Sequence, residues 1–200
     1  MRRRRPELDT PLRVLFVCTG NIARSPYAER RAAQLASAHV GVPIAFSSAG
    51  VPGAPGRGMD GEMAHQLRER GGDPLGHESR ALTLSILETT DVVIAMEFAH
   101  RLLIAEQWPR HAAKVFGLHQ LAEGVLRSGS HEGGLAALDA ALAVAPPDSL
   151  ALDVADPHRR GARAAKVCAD DIDASLAIIV PGLTGIPALL GDYGTEAPRW

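Results

Sequence analysis

The sequence predicts a single α/β domain, a roughly four-stranded parallel sheet with helices on both faces. Apolar runs of strand length alternate along the 200-residue chain with amphipathic runs of helix length, which is typical of βαβ units. A chain of this length can bury a substantial core. With 46% hydrophobic and 22% charged residues, the composition is that of an ordinary globular protein.

Hydrophobic spacing places the individual elements in this alternation. The predicted strands are Arg13–Cys18, Pro43–Ser47, Asp91–Met96 and Lys114–Leu118. The predicted helices are Pro26–His39, Gly58–Arg70, Ser85–Glu88, Glu97–Gln107 and Arg159–Val180. Open parallel sheets bind ligands at the carboxyl ends of their strands, so Cys18 ends the first strand where a site is expected.

Residues 122–152 interrupt the alternation. A loop-like stretch, RSGSHEGG, is followed by the strong helix former LAALDAALAVA, which Pro146 and Pro147 end. We interpret this segment as an inserted helical hairpin or lid element within one domain over residues 12–192. A frayed basic terminus over residues 1–11 and a tail over residues 193–200 complete the predicted organisation.

Charge and hydropathy exclude several classes of partner. The net charge of −2 gives no basic field that would attract nucleic acid, and the run Arg2–Arg5 is typical of a solvated terminus. No segment approaches the roughly 20 apolar residues of a membrane span, and LRVLFV is too short for a secretory signal. We therefore expect a cytoplasmic protein with neither a nucleic-acid nor a membrane partner.

Cysteine and histidine usage argues against a metal. Only two cysteines occur, Cys18 and Cys168, and the chain has no C-x-x-C or H-E-x-x-H pattern. A disulfide framework and a cysteine-based zinc site are both poorly supported. We expect no metal ion and no cofactor.

The stretch VLFVCTGNIARSP (14–26) combines a buried strand with a loop suited to an anion. Gly20 and Asn21 can adopt positive φ, which turns successive backbone N–H groups inward to form an anion-binding nest. Cys18 lies at the base of this nest, where the surrounding groups favour its thiolate.

The second half of this stretch adds a helix and a guanidinium. Ser25 is a suitable N-cap and Pro26 a suitable first helical residue, so a helix is predicted to begin directly after the loop and direct its dipole at the nest. Arg24 supplies a planar fork that matches two oxygens of a tetrahedral anion. A lone cysteine at a strand end is more often a small core residue, but here all these features occur together in order.

The loop is thus a phosphate-binding cradle with a cysteine nucleophile at its base, which predicts a cysteine phosphatase. Such an enzyme also needs a proton donor for the leaving oxygen. Asp156, in LDVADPHRRG, is the best candidate, because Pro157 fixes its loop and the last predicted helix follows it. Asp153 is the alternative donor. Spacing alone would make this Asp-Pro pair a common turn.

These residues resemble the low-molecular-weight protein tyrosine phosphatase family. VLFVCTGNIARSP resembles its nucleophile loop, SSAG (47–50) the motif after its second strand, HESR (77–80) its His-containing loop, DVVIAM its third strand and ADP its acid loop. The resemblance covers most of the chain and implies two-step hydrolysis of phosphate monoesters, such as phosphotyrosine in proteins, through a phosphocysteine. Phosphorylated protein or a small phosphate ester would be the substrate, and inorganic phosphate or other oxyanions would inhibit.

The resemblance also implies roles for single residues. Cys18 would be the nucleophile, Arg24 would clamp the transition state, and Asp156 would act as general acid and then as general base. Ser48 and His77, together with Asn21, would brace the loop, and Ser25 would hydrogen-bond the thiolate. The implied substrate-binding residues of the loop are Thr19, Gly20, Asn21, Ile22, Ala23 and Ser25.

Two stretches depart from the family pattern. Family members usually carry aromatic residues after the Asp-Pro and in the loop after SAG, where they wall the phenol ring of phosphotyrosine. Here HRR (158–160) and VPGAPGRG stand in their place, so a ring would be held by Val51, Pro52 and His158. We therefore expect only a weak preference for phosphotyrosine. The position before the arginine, often a second cysteine, is Ala23.

Three other functions stay open on the sequence. A relative of this fold reduces arsenate with two further cysteines, of which only Cys168 could be one. Another hydrolyses phosphoarginine and has threonine where Ile22 stands; Ile22 favours an aryl phosphate. A non-catalytic phosphate-sensing or partner-binding module is favoured by the bare pocket walls and disfavoured by Cys18, Arg24 and Asp156.

Overall fold

The computed structural model describes residues 11–38, 41–130, 132–147 and 149–185. Most of the predicted frayed terminus, the predicted tail and His39 lie outside these residues. The strands are β1 (Leu12–Cys18), β2 (Ile44–Gly50), β3 (Val92–Ala95) and β4 (Val115–Gly117). The helices are α1 (Arg24–Ser37), α2 (Gly61–Glu69), α3 (Leu84–Glu88), α4 (Phe98–Gln107), α5 (Leu118–Ser128), α6 (Gly134–Val144) and α7 (Gly161–Thr184), with 3₁₀ turns at Pro109–Lys114 and Leu150–Leu152.

The four strands form one parallel sheet in the order β2-β1-β3-β4, which confirms the predicted fold class. The central strand β1 pairs with β2 on one side and with β3 on the other. Cys18 pairs with Gly50 at the carboxyl edge, so the nucleophile candidate lies beside the end of SSAG.

Side chains of β1 alternate between two cores, one on each face of the sheet. Val14 and Phe16 pack with α1, α2, α5, α6 and α7, whereas Leu15 and Val17 pack with α3 and α4. Helices therefore cover both faces, and β1 is a nearly continuous apolar run because both faces are buried.

Several element boundaries differ from the predicted ones for local physical reasons. β2 continues three residues past Ser47, since its polar end pairs with β1. α1 begins at Arg24, so Ser25 is not its N-cap as predicted; Ala23 takes that position without a side-chain cap. α7 continues to Thr184 because Leu183 and Thr184 are buried.

The segment predicted as an insert begins earlier than expected. α5 starts at Leu118, directly after β4, and packs against α6 and α7. Gly124 permits the close contact, because a Cβ there would lie 2.6 Å from the Ala141 carbonyl oxygen. Leu121, Ala122 and Leu138 are buried in the core on that face. Within the described residues, no helix is long and apolar enough to cross a membrane.

Candidate active site

Residues 19–23 connect the carboxyl end of β1 to the start of α1. Asn21 has φ 56°, in the left-handed region, as the sequence predicts. Gly20, for which the sequence predicts the same conformation, is not among the positive-φ residues. Asn21 is thus the one left-handed residue in this loop. The path of the rest of the loop is set by hydrogen bonds from the surrounding chain to its carbonyl groups.

Five consecutive carbonyl oxygens of this loop are bound from outside it. Those of residues 18–22 accept from Val51 N (2.9 Å), Gly53 N (2.9 Å), Ala54 N (3.2 Å), His77 Nε2 (2.7 Å) and Asp60 N (2.6 Å), in that order. A trans peptide directs its N–H opposite to its C=O, so the N–H groups of residues 19–23 point into the loop. Within the described part of the chain they donate to no acceptor, which leaves a nest for an oxyanion.

Cys18 lies at the base of the nest and is 2% exposed. Its Sγ is 3.0 Å from Ser25 Oγ. The Ser25 oxygen also accepts from Asn21 Nδ2 at 3.0 Å, and its single proton can point to the sulfur or, at 3.4 Å, to the Ala49 carbonyl oxygen. The Ser25 side chain is therefore engaged inside the site and does not cap α1.

Asn21 is the centre of a buried bracing network. Its Nδ2 also donates to Ser48 Oγ at 2.8 Å, and its Oδ1 accepts from Arg80 N at 2.9 Å. Ser48 in turn donates to Glu29 Oε2 at 2.5 Å. Asn21 is therefore held to α1 through Ser25, to β2 through Ser48, and to the loop that contains Arg80.

Gly50 allows β2 to approach this loop. A Cβ at this position would lie 2.6 Å from Gly53 Cα, 2.7 Å from the Thr19 oxygen and 3.0 Å from Asn21 N. The final glycine of SSAG is therefore required for steric reasons and not for its φ.

The guanidinium of Arg24 is almost fully buried and already paired along one edge. Nη1 donates to Glu97 Oε1 and, at 2.8 Å, to the Val154 oxygen. Nη2 is 3.4 Å from Asp156 Oδ2, and Nε has no partner among the described residues. The Nε–Nη2 edge is thus the one that an oxyanion could occupy, while Glu97 balances the buried charge.

His100, on α4, contacts the loop from the other side. Its Nε2 is 2.9 Å from Thr19 Oγ1, and its Nδ1 is buried with no partner in the described part of the chain. Burial lowers the pKa of His100 to about 4; Arg24 acts in the same direction, against Glu97 and Asp156. At neutral pH the ring is uncharged and serves as a hydrogen-bonding brace.

The acid candidates occupy different environments. Asp156 is half exposed, faces Arg24, and accepts from the His158 backbone N–H at 3.3 Å. The alternative donor, Asp153, accepts from the Phe98 N–H at 2.6 Å and so holds the start of α4. Because Arg24 is expected to bind the phosphoryl group, its contact with Asp156 makes Asp156 the better candidate for the proton donor.

His158 links the acid loop (155–160) to the opposite wall of the site. Its Nδ1 is 3.1 Å from Asp60 Oδ2, and the other oxygen of Asp60 accepts from Glu62 N and Met63 N at the start of α2. Since Asp60 N also donates to the Ile22 oxygen, one residue connects the phosphate loop (18–25), α2 and the acid loop.

The second cysteine is a core residue of α7. Cys168 is 2% exposed and free, as is Cys18. Burial raises the pKa of its thiol to about 12, and Asp171, Asp156 and Cys18 act in the same direction against Arg24. No group of three or more His, Cys, Asp or Glu residues that could hold a metal ion occurs among the described residues.

The structure brings the sequence-predicted site residues together at the carboxyl edge of β1 and places His158 at the rim. Sequence reasoning missed Glu97, His100, Asp60 and Arg80. Glu97 and His100 follow β3, the neighbour of β1, so the rule that ligands bind at the carboxyl ends of parallel strands could have found them. Asp60 carried no signal beyond a helix cap.

Comparison with known proteins gives consistent matches. The family model for low molecular weight phosphotyrosine protein phosphatase matches residues 13–139. A protein-arginine-phosphatase of Bacillus subtilis is 36% identical over 111 residues, 56% of this chain and 73% of the relative. A low molecular weight protein-tyrosine-phosphatase of Streptomyces coelicolor is 37% identical over 107 residues, 52% of this chain and 65% of the relative.

Solved structures match over a larger share of the chain. A YwlE mutant from Bacillus subtilis has a TM-score of 0.68 and 29% identity, covering 86% of this chain and 98% of the other. A variant of the YwlE arginine phosphatase with a phosphorylated active-site serine has a TM-score of 0.68 and 27% identity, covering 86% and 95%.

Proposed function

The chain belongs to the low molecular weight phosphotyrosine protein phosphatase family, and from this premise we propose a cysteine-dependent hydrolase of phosphotyrosine-like protein substrates. The observation that carries the proposal is the loop with five carbonyls held outward around the thiol of Cys18. An inward array of backbone N–H groups suits the three equatorial oxygens of a phosphoryl group in transfer. A cytoplasmic location, which the sequence predicts, is part of the proposal, and two free thiols fit that compartment.

In the first step the Cys18 thiolate attacks phosphorus. The S–P bond forms as the bond to the leaving oxygen breaks, and the Asp156 carboxyl transfers its proton to that oxygen. Backbone N–H groups and the Nε–Nη2 edge of Arg24 stabilise the oxygens, while the contacts of Nη1 with Glu97 and the Val154 carbonyl keep the fork in place.

In the second step water replaces the cysteine. The Asp156 carboxylate takes a proton from the water as its oxygen bonds to phosphorus and the S–P bond breaks. Inorganic phosphate leaves and the Cys18 thiolate is restored, so no electrons are exchanged and no cofactor is needed.

The similarity to the Bacillus subtilis protein-arginine-phosphatase supports a second candidate substrate, phosphoarginine. Hydrolysis would then break a P–N bond, with Asp156 protonating the leaving guanidine. Ile22, buried at the site, argues against it, because an apolar side chain suits an aryl ring better than a guanidinium.

A substrate panel tests the proposal. Turnover of p-nitrophenyl phosphate and of phosphotyrosine, phosphoserine and phosphoarginine peptides is measured for the native protein, Cys18→Ser and the control Cys168→Ala. We expect phosphotyrosine to be preferred and Cys18→Ser to lose more than about 10⁴-fold in kcat. Vanadate binding, followed by calorimetry, should partly survive, since the nest is backbone.

Two outcomes would contradict the proposal. Retained turnover by Cys18→Ser would exclude the phosphocysteine, and no turnover of any substrate by the native protein would favour a non-catalytic module. A preference for phosphoarginine would establish the second candidate, and Ile22→Thr should then strengthen that preference.

A further inference from the structure

The outer side of the acid loop and the first turn of α7 together carry three arginines that the phosphate chemistry does not use. Arg159, Arg160 and Arg163 are all exposed, and none pairs with a carboxylate among the described residues. Arg160 makes a single long contact, from Nη1 to the Asp156 carbonyl oxygen at 3.5 Å. Elsewhere arginines such as Arg70 do pair with acidic neighbours, so these three form a local excess of positive charge.

Two of these arginines, Arg160 and Arg163, line an open cavity of about 320 Å³. Its walls are Ala155, Asp156, Arg160, Arg163, Ala164 and Val167. Positions 160, 163, 164 and 167 follow i, i+3, i+4 and i+7 spacing, so they form one face at the start of α7.

The cavity shares one residue, Asp156, with the reaction centre. Asp156 forms part of its wall and is also 3.4 Å from Arg24 through its carboxylate, which places the cavity beside the departing leaving group. The part of a substrate that extends from the leaving group past Asp156 on this side would come close to the two guanidinium groups. In a polypeptide substrate, that part is the sequence next to the phosphorylated residue.

We propose that this cavity binds an acidic side chain of the substrate polypeptide, so that the enzyme selects phosphorylated residues with acidic neighbours. The inference rests on the proposed function and names its substrate class. Guanidinium forks match a carboxylate in geometry and charge. Ala155, Ala164 and Val167, the last of them 59% exposed, would contact the methylene groups that carry the carboxylate.

The expected effect is moderate because the pairs are open to solvent. Two exposed ion pairs together should change kcat/KM about threefold to tenfold at low salt. The preference should shrink as the ionic strength rises towards 1 M, where the Debye length is about 3 Å.

The test compares phosphotyrosine peptides that differ only in glutamate or glutamine beside the phosphorylated residue. The measured quantity is the ratio of the two kcat/KM values, so each enzyme is its own reference. Arg163→Ala is the informative variant, because Arg160 is part of the acid loop and contacts the Asp156 carbonyl oxygen. We expect the native ratio to favour glutamate and to fall towards one in Arg163→Ala, while Arg163→Glu should favour lysine-flanked peptides.

Arg110→Ala is the matched control. Arg110 is also exposed, but it lies beyond the far end of α4, away from the first residue of that helix, Phe98, whose N–H donates to Asp153 just before the acid loop. It removes the same charge and should keep the native ratio. If Arg110→Ala lowered the glutamate-to-glutamine ratio as much as Arg163→Ala, the preference would come from the net charge of the protein, and the inference would be overturned.

p-Nitrophenyl phosphate separates this inference from the proposed function. It has no neighbouring residues, so its turnover reports the phosphate chemistry alone. Turnover of this ester with equal use of the glutamate and glutamine peptides would overturn the inference and leave the function standing. Failure on the ester and on all peptides would overturn both.

Discussion

The phosphate loop (18–25) and the acid loop (155–160) face the same reaction centre but are held in place very differently. Every carbonyl from residue 18 to 22 accepts a hydrogen bond, and the Asn21 side chain makes three more in a buried environment. The acid loop is mostly exposed, and its link to the opposite wall is the contact between His158 and Asp60. The residue before it, Val154, donates from its N–H to the Met96 oxygen at 2.8 Å and accepts from Arg24 Nη1 at 2.8 Å through its carbonyl.

This difference matches the two parts of a substrate: the phosphoryl group, which is the same in every substrate, and the remainder, which varies. The phosphoryl group has the same shape in every substrate, and a preorganised buried nest fits it without rearrangement. The rest of the substrate meets the acid loop, where contacts are exposed and individually weak. Substitutions should therefore have large effects on one side and graded effects on the other.

Asp156→Asn should give the largest effect of the four changes considered. Without a proton donor, turnover of phenyl phosphate should fall by about 10²–10⁴-fold. The loss should be smaller for p-nitrophenyl phosphate, whose leaving group departs without a proton. Asp153→Asn is the control, and if it reproduces this pattern instead, Asp153 is the acid.

Gly50→Ala tests how closely the phosphate loop is held. The added methyl group would clash with Gly53 Cα and the Thr19 oxygen, so the loop must shift. We expect a loss of about 1–3 kcal/mol in unfolding free energy and roughly 10²-fold in kcat/KM. Gly61→Ala, where a Cβ meets nothing within 4 Å, should change neither quantity, and an unaffected Gly50→Ala would show that the loop is not tightly packed.

His100 should make the stability of the phosphate-loop side depend on pH. Its folded pKa is about 4 and its unfolded pKa about 6.5, so between these values only the unfolded chain takes up the proton. The free energy of unfolding therefore falls as the pH drops below 6.5, by about 2 kcal/mol at pH 5 and about 3 kcal/mol once the pH is below 4.

His100→Gln isolates this contribution. Glutamine can still hydrogen-bond Thr19 but does not titrate, so the variant should lose less stability between pH 7 and pH 5 than the native protein. Urea unfolding at both pH values measures the difference. Parallel pH profiles for the two proteins would mean that His100 is protonated without cost in the folded state.

His158→Tyr should give the smallest change, on the acid-loop side. A ring stacked on the substrate phenol is worth about 0.5–1.5 kcal/mol, so the preference for phosphotyrosine over phosphoserine peptides should rise by roughly twofold to tenfold. His158→Leu also loses the contact with Asp60 but adds no ring. An equal gain in both variants would assign the effect to the lost contact.

Much of the fold and the chemistry could be predicted, because they are encoded locally. The apolar run of β1, the Asn21 turn and the spacing of Cys18 and Arg24 lie within one short segment. Glu97 and His100 could not be recognised in this way. They reach the site only because β3 pairs with β1, and a lone glutamate or histidine after a strand has no signature of its own.

Ser25 shows how tertiary contacts override a local preference. Serine before proline is a good helix-capping pattern, yet the hydroxyl contacts Cys18 and Asn21 and the helix starts two residues earlier, at Arg24. The absent aromatic walls were visible in the sequence, whereas the grouping of Arg160, Arg163 and Val167 around one cavity required the helix geometry.

The burial of Cys168 decides the fate of the nucleophile in the presence of peroxide. A sulfenic acid is protected from further oxidation when a nearby thiolate condenses with it to form a disulfide. The chain has no other cysteine besides these two, position 23 is alanine, and the Cys168 thiol, with its pKa of about 12, stays protonated at neutral pH. We therefore expect oxidised Cys18 to proceed to the sulfinic acid, so that oxidative stress removes this enzyme until new protein is made.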